Sequence, residues 1–270
     1  MKFGFIGAGK VGFSLGKYFA AHDLDVVGYY SEVKEDSLEA AEFTNSKSYD
    51  SLDEIVADSD VLFLTVPDDS LEDVWNKLNS CHFTDKIICH TSGVHTSEIF
   101  SGLDNHNSYG YSIHPLCAIN DKFKSYEDLS KIYFTIEGNK EKLDAMSNLF
   151  LRLGNQVNII DTKDKARYHL AATMASNLVV GLVDMAESII PHDALVPILK
   201  SNMYHIIEDG TVGALTGPIE RGDANTIKMH LEALKDSELD AYKTVSRHTL
   251  NVAKKKNPDR DYTEIEELLK

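Results

Sequence analysis

Met1-Lys-Phe-Gly-Phe-Ile-Gly-Ala-Gly-Lys-Val-Gly12 opens the chain, and the reading of this stretch decides the fold. Phe3, Phe5 and Ile6 read as a short buried strand. Gly7, Gly9 and Gly12 follow as G-x-G-x-x-G, and Phe13 to Ala21 reads as a helix. In that order of strand, turn and helix each glycine has its own task. Gly7 permits a tight turn, Gly9 lets the backbone approach a pyrophosphate, and Gly12 lets helix and strand pack closely. The unpaired N–H groups and the positive dipole end of the helix attract phosphates. Gly7-Ala8-Gly9-Lys10-Val11-Gly12 is therefore read as a dinucleotide-binding turn, against the plainer alternative of a tight turn without a ligand.

Working outward, Asp25 to Tyr30 reads as a second strand and Glu35 to Glu42 as a helix. Asp60 to Val66 is a continuous apolar run closed by Pro67-Asp68, the pattern of a fully buried parallel strand. Leu71 to Leu78 reads as a helix. Lys86 to His90 and Tyr109 to His114 read as strands, then Ile132 to Glu137 as a strand, Lys140 to Leu153 as a helix and Val157 to Ile160 as a last strand. This alternation predicts an α/β fold, a doubly wound parallel-sheet Rossmann domain over residues 1–160. From residue 161 to 270 the pattern is helical, which predicts a small all-α domain. Ala166 to Ile190 reads as one long helix rich in small residues, followed by helices over Ala194 to Glu208, Ala224 to Lys235 and Glu238 to Lys256. Asp261-Tyr-Thr-Glu264 reads as a capping box before a short last helix. Ligands of such sheets bind at the carboxyl ends of the strands, so the helical domain is expected to close over that edge.

Composition narrows the function classes. The chain has 270 residues, enough for two domains, and its 43% hydrophobic and 26% charged content is ordinary for a globular protein. A formal net charge of −16 argues against nucleic acid and anionic membranes as partners. Three cysteines, Cys81, Cys89 and Cys117, form no even framework, and with an N-terminus that is itself a strand they suggest a reduced, cytoplasmic protein. No apolar run reads as membrane-spanning. Cys89-His90 and His114-x-x-Cys117 raise the question of zinc, but adjacent strand residues face opposite ways, so no metal is expected. Lys254-Lys-Lys256 reads as charge complementing a helix C-terminus in solvent.

The residue that reads the adenosine ribose lies about 20 positions past the glycine turn. Here Ser31 stands where an NAD enzyme usually carries an acid, and its hydroxyl tolerates a 2′-phosphate that Lys34 is placed to pair. Glu32 leaves the NAD ribose open as the alternative. NADP(H) is the expected cofactor, with Val66, Pro67, Asp68 and Gly93 shaping the nicotinamide side.

Further segments carry a family likeness: His90-Thr-Ser-Gly93, His114-Pro-Leu116, Tyr168-His-Leu-Ala-Ala172 through Asn177, and Leu215-Thr-Gly-Pro-Ile-Glu-Arg-Gly-Asp223 with His230-Leu231. Together they resemble Rossmann-like oxidoreductases with a helical C-terminal domain of the 6-phosphogluconate-dehydrogenase type. Within that group the chain most resembles the alternative-type ketopantoate reductases of pantothenate biosynthesis. The resemblance implies NADPH-dependent reduction of a small 2-keto acid, 2-dehydropantoate to pantoate. In related ketopantoate and hydroxyacid reductases the matching helix carries a Lys and an Asn separated by three or so residues. This sequence departs from that pattern at His169 and Thr173.

Such a reduction needs a hydride, a proton donor for the nascent alkoxide, and donors for the carboxylate. Lys165, His169, Thr173 and Asn177 are spaced by four, offset by about 40° per step, and so share one stripe of a continuous helix. His169 is the leading proton donor or carbonyl-orienting group, since imidazole titrates near neutrality. Asn177 is an uncharged donor, and Lys165 is the competing acid unless it is merely solvated near the helix start. Ser92 and Gly93 offer a hydroxyl and an amide at the sheet edge. His114 ends a strand there, facing substrate or ribose, or is a buried histidine. Arg221 is a carboxylate clamp or the partner of Asp223 in fixing a loop. An imine or another hydroxyacid as substrate, and a noncatalytic dinucleotide-binding redox sensor, are the rival functions. The small helical domain with its small-residue helix suggests a homodimer.

Overall fold

The computed structural model describes residues 1–270, with the side chains of all but Asp236 and Ser237. The contacts divide it into two units, Met1–Ala175 and Ser176–Lys270.

The first unit is built on one eight-stranded sheet. Its elements are β1 (Lys2–Ile6), α1 (Lys10–Ala21), β2 (Asp25–Tyr30), α2 (Lys34–Thr44), β3 (Lys47–Ser48), α3 (Leu52–Asp58), β4 (Val61–Leu64), α4 (Asp68–Asn79), β5 (Ile87–His90), β6 (Tyr109–Pro115), β7 (Tyr133–Gly138), α5 (Leu143–Arg152), β8 (Gln156–Ile159) and α6 (Lys165–Ala175). The strand order is β3-β2-β1-β4-β5-β6-β7-β8. In β4 every residue is buried. Val61 and Phe63 join one apolar layer and Leu62 and Leu64 the other, so both faces of the strand are covered. That is why its sequence reads as an unbroken apolar run rather than an alternation. One layer is aromatic, with Phe5 stacked between Tyr29 and Phe63, and the other holds Trp75 against Phe100.

The sheet departs from the all-parallel expectation at one joint. β6 and β7 pair antiparallel, in a register that sets Ser112 opposite Glu137 and His114 opposite Thr135. A parallel pair needs a crossover, usually a helix. The segment between β6 and β7 holds only a 3-10 turn over Ser125–Lys131, so the chain returns alongside β6. That segment lies on α1 instead, with Phe123 edge-on to Phe13. The two-residue β3 and the helix α3 escape the sequence reading, being too short for periodicity to register.

The expected boundary at residue 160 also moves. Lys165 of α6 is buried and hydrogen-bonds to Ser112 of β6, so α6 belongs with the sheet. The long helix expected over Ala166 to Ile190 breaks at Ser176, whose ψ of −81° at φ −123° is not helical. Thr162–Glu187 as a whole is, contrary to the sequence reading, long and apolar enough to cross a membrane by length and composition. The break, and the hydrogen bonds of Lys165 and Tyr168 to the sheet's β6, are at odds with that use.

The second unit comprises α7 (Asn177–Glu187), α8 (His192–Ala214), α9 (Pro218–Arg221), α10 (Ala224–Ala233), α11 (Asp236–Lys256) and α12 (Thr263–Leu268). Ile219, Ile227, Leu250, Ala253, Tyr262, Ile265 and Leu269 form its core. α8 is interrupted at Gly210, where φ is +68°. Lys256 donates to Leu215 O at 2.7 Å and Gly213 O at 3.1 Å, so it does complement a helix C-terminus, that of α8 rather than its own. At the last helix Asp261 accepts from the Thr263 N–H at 2.9 Å and from its hydroxyl at 2.7 Å, an aspartate turn in place of the expected capping box.

Candidate active site at the carboxyl edge of the sheet

The glycine turn leaves β1 and enters α1. Gly7 adopts φ +100°, and a Cβ there would stand 2.8 Å from Thr65 O. Thr65 hydrogen-bonds to Gly7 O at 2.7 Å, and a Cβ on Gly12 would collide with Gly7 O and the Thr65 hydroxyl. Both glycines are thus demanded by packing. Gly9 differs, because a Cβ there would meet nothing within 4 Å. Packing does not require it, so the free space over it is room for a ligand to reach the backbone. Gly9 is also the N-cap of α1, and no side chain caps it. The first-turn N–H groups are therefore available to an anion. These residues fit the pyrophosphate of a dinucleotide.

A cleft of about 280 Å³ runs from this turn along the end of β2 to α4. Gly7, Ala8, Gly9, Ser31, Val66 and Pro67 line it, as the sequence suggests, with Leu52 and Val74 giving apolar walls. Lys10, Val11 and Gly12 lie in the adjoining first turn of α1. Lys34 is not in the lining. Its ammonium is bound to the Asp50 carboxylate and to Tyr49 O at 3.1 Å, so it is held by the segment between β3 and α3 rather than presented to the cleft. The cation that does line the cleft is Lys77 of α4, paired with Glu32 at 2.6 Å. The sequence reading missed Lys77, because its helix is 45 positions from Glu32 and only the fold brings them together.

A second group of polar residues gathers where β5 and β6 end. Lys165, at the start of α6, has no solvent exposure. Its Nζ donates to Ser112 Oγ at 2.6 Å, and Ser112 Oγ donates on to Ser92 O at 3.4 Å. Burial lowers the Lys165 pKa from 10.5 to about 8, against the pull of the Glu137 and Asp68 carboxylates. The reading of Lys165 as a solvated residue is thus overturned, since its side chain reaches β6 and is fully buried there. Glu137, opposite Ser112, is itself buried and accepts from Ser97 N at 2.8 Å, Ser97 Oγ at 2.7 Å and Thr162 Oγ1 at 2.7 Å. It ties the loop after β5 and the turn before α6 to β7.

His90 supports the same loop. Its Nδ1 accepts from Ser92 N–H at 3.2 Å, which leaves Nε2 to donate to Thr96 O at 3.1 Å. Burial holds its pKa at about 3, so the ring is neutral and structural. Ser92 Oγ accepts from the N–H groups of Val94 and His95, turning the chain so that Gly93 faces α6. A Cβ on Gly93 would lie 2.8 Å from His169 Nε2 and 3.1 Å from His114 Nε2. Both imidazoles therefore rest against Gly93, with ring centroids 6.1 Å apart. His114 Nδ1 pairs with Tyr168 Oη at 2.8 Å, and burial with the nearby Lys165 charge lowers its pKa to about 4. Lys165, His169, Ser92, Gly93 and His114 thus come together, and Thr173 sits half-buried less than one turn before the Ser176 break. Ser112, Glu137 and Tyr168 complete the group. In the sequence Ser112 and Glu137 read only as strand residues, and their signal, two polar residues inside apolar strands, was legible but unassigned.

Asn177, Arg221 and Asp223 belong to the second unit. Asn177 follows the break, is exposed, and accepts from Ser176 Oγ, so it does not continue the stripe of Lys165 and His169. Asp223 caps α10, accepting from Thr226 N at 3.0 Å and Thr226 Oγ1 at 2.6 Å, and those bonds hold its carboxyl below the usual range. Its carboxylate is thereby committed to the helix, and the nearby Arg221 charge favours the same state.

Residues 1–115 match the family model of the Rossmann-like domain, and residues 132–249 match that of a domain of unknown function (DUF2520). No curated protein matches the chain in sequence. Among solved structures, a protein from Thermotoga maritima is similar at 23% identity and TM-score 0.75, covering 94% of this chain and 98% of its own. A Bacteroides fragilis protein provisionally assigned as an NADP oxidoreductase is similar at 20% identity and TM-score 0.71, covering 95% and 98%. A reductive aminase from Aspergillus terreus, solved with NADPH and ethyl-5-oxohexanoate, is similar at 12% identity and TM-score 0.63, covering 93% and 89%. The chain therefore carries a Rossmann-like domain followed by a helical region, and shares that fold with oxidoreductases.

Proposed function

We propose that the chain is an NADPH-dependent oxidoreductase that reduces a small 2-keto acid, with 2-dehydropantoate the best single substrate. The observation that carries this reading is Lys165. A buried ammonium is costly, and one with a pKa near 8 at the ligand edge of a Rossmann sheet is suited to holding and passing a proton. Bound NADPH supplies a hydride to the carbonyl carbon. Lys165 Nζ stabilises the charge that grows on the carbonyl oxygen and gives it a proton, with Ser112 Oγ fixing the amine's position. Since Lys165 itself has no solvent exposure, its lost proton is replaced by way of the half-buried polar groups of the site. His169, half-buried against Gly93, holds the carbonyl, and the neutral His114–Tyr168 pair steadies it from the side. The positive charge of Lys165 also favours an anionic substrate in a protein whose net charge is −16.

An imine is the second reading, favoured by the fold shared with the Aspergillus terreus reductive aminase. Lys165 separates the two. An ammonium attracts a carboxylate and repels an iminium, so keto-acid reduction draws on the protonated lysine and imine reduction on the neutral one. The test is NADPH oxidation by the full chain with 2-dehydropantoate, other 2-keto acids and cyclic imines. Turnover with a keto acid supports the first reading and turnover with imines alone the second. NADPH binding without turnover on any of them leaves a dinucleotide-binding sensor. We propose further that the chain is a homodimer. Within the second unit α7 buries no residue and α8 buries only Leu195, while Val180, Ile189, Ile198 and Ile207 are exposed.

A further inference from the structure

The cleft beside the glycine turn holds an ion pair that the binding of a dinucleotide does not by itself require. Glu32 follows β2 and Lys77 lies in the last turn of α4, and their side chains meet at 2.6 Å across the lining. Lys77 is the single cation among the described residues that line this cleft, and Glu32 and Asp36 are its acids. The other lysine near this turn in sequence, Lys34, does not line the cleft and binds Asp50 and Tyr49 O instead.

We propose that Lys77 is the residue that selects the 2′-phosphorylated dinucleotide, and that Glu32 is its partner until the phosphate arrives. This rests on the NADPH reading above. Both side chains of the pair are more than half exposed, and exposed pairs of this kind contribute little, so exchanging Glu32 for another anion is inexpensive. A 2′-phosphate brings close to two negative charges and three acceptor oxygens, and it competes with one carboxylate from a favourable position. Each partner holds the other ionised, Glu32 below and Lys77 above the ordinary range, so Lys77 is a full cation when the ligand enters. Glu32 also works against the wrong state. With Lys77 removed, the phosphate faces two carboxylates and no cation, whereas an unphosphorylated ribose donates its 2′-hydroxyl to Glu32. Discrimination therefore comes from an attractive and a repulsive element on opposite walls of one cleft.

The test is the affinity of the full chain for NADPH and NADH, measured by titration calorimetry and repeated with 2′-phospho-AMP and AMP, for the wild type, Lys77→Gln, Glu32→Gln and Lys34→Gln. Lys77→Gln is expected to lower the NADPH-to-NADH affinity ratio about tenfold or more, the scale of one charge-assisted hydrogen bond. Glu32→Gln is expected to raise it, and the fragment pair to follow the same order. A wild type that prefers NADPH and a Lys77→Gln variant that keeps that preference overturn the assignment of Lys77 and leave the NADPH reading standing. The same holds if Lys34→Gln reproduces the loss and Lys77→Gln does not. A wild type that binds neither dinucleotide, or binds NADH as tightly as NADPH, overturns the NADPH reading and this assignment with it.

Discussion

A lysine sealed at the edge of a sheet carries a desolvation cost that an exposed lysine does not, and on the proposed function Lys165 is the proton donor. Replacing it with methionine keeps most of the volume and removes the charge. Lys165→Met is expected to lower kcat with the preferred substrate by about 10²–10⁴-fold, the usual contribution of a positioned acid. Its Tm should change by no more than a few degrees, because the desolvation cost of the buried ammonium is removed while Glu137 loses a nearby cation and keeps its three hydrogen-bond donors. A melt and an assay on one preparation check both. If Lys165 acts as the acid, kcat/KM for a keto acid falls as pH rises past about 8, since the active form is the protonated one and is lost there. A flat profile to pH 9 would remove Lys165 from the proton step. His169 is a fainter case. It rests against Gly93 beside His114, where it is proposed to hold the carbonyl rather than pass the proton, so His169→Ala is expected to raise KM more than it lowers kcat.

At the scale of the element, the glycine turn divides into residues needed by the protein and one left for its ligand. Gly12→Ala drives a methyl into Gly7 O and is expected to lower Tm, whereas Gly9→Ala meets no protein atom and is expected to leave Tm within a few degrees. Gly9→Ala should instead weaken NADPH binding about tenfold or more, the methyl standing where the pyrophosphate approaches. Calorimetry of ligand binding beside a melt of each variant separates the two. These elements were legible because their signals are local. β1, its glycines and α1 occupy consecutive residues, and β4 shows two-sided burial in its own letters. Less was legible where the outcome depended on a partner element. The antiparallel joint between β6 and β7 follows from a connection that finds its place on α1, and the break at Ser176 lies inside a run whose letters, Ala-Ala-Thr-Met-Ala-Ser-Asn, suit a helix throughout. That break also takes Asn177 out of the stripe on which a spacing of four had set it.

For the whole molecule, the apolar residues left exposed on α7 and α8 are expected to be covered by a second copy of the chain. Light scattering at micromolar concentration should give twice the 30.1 kDa of one chain, and Val180→Asp with Ile207→Asp should return it to the monomer. A wild-type monomer at that concentration sinks the proposal. What the sequence by itself determined is the order of the longer strands and helices of the sheet, the glycine turn and the change to an all-helical second unit, for each rests on periodicity and on the steric demands of residues near one another in the chain. It also named most residues of the sheet-edge group, since strand ends are where such a fold gathers polar side chains. Only the tertiary structure decided what those residues are. Lys165 is buried rather than solvated because its ammonium is paired with Ser112 of β6, and Lys77 rather than Lys34 lines the cleft because α4 brings it to Glu32. Burial and pairing across distant segments fix charge and proton affinity, and neither is written in the spacing of residues along one strand or one helix.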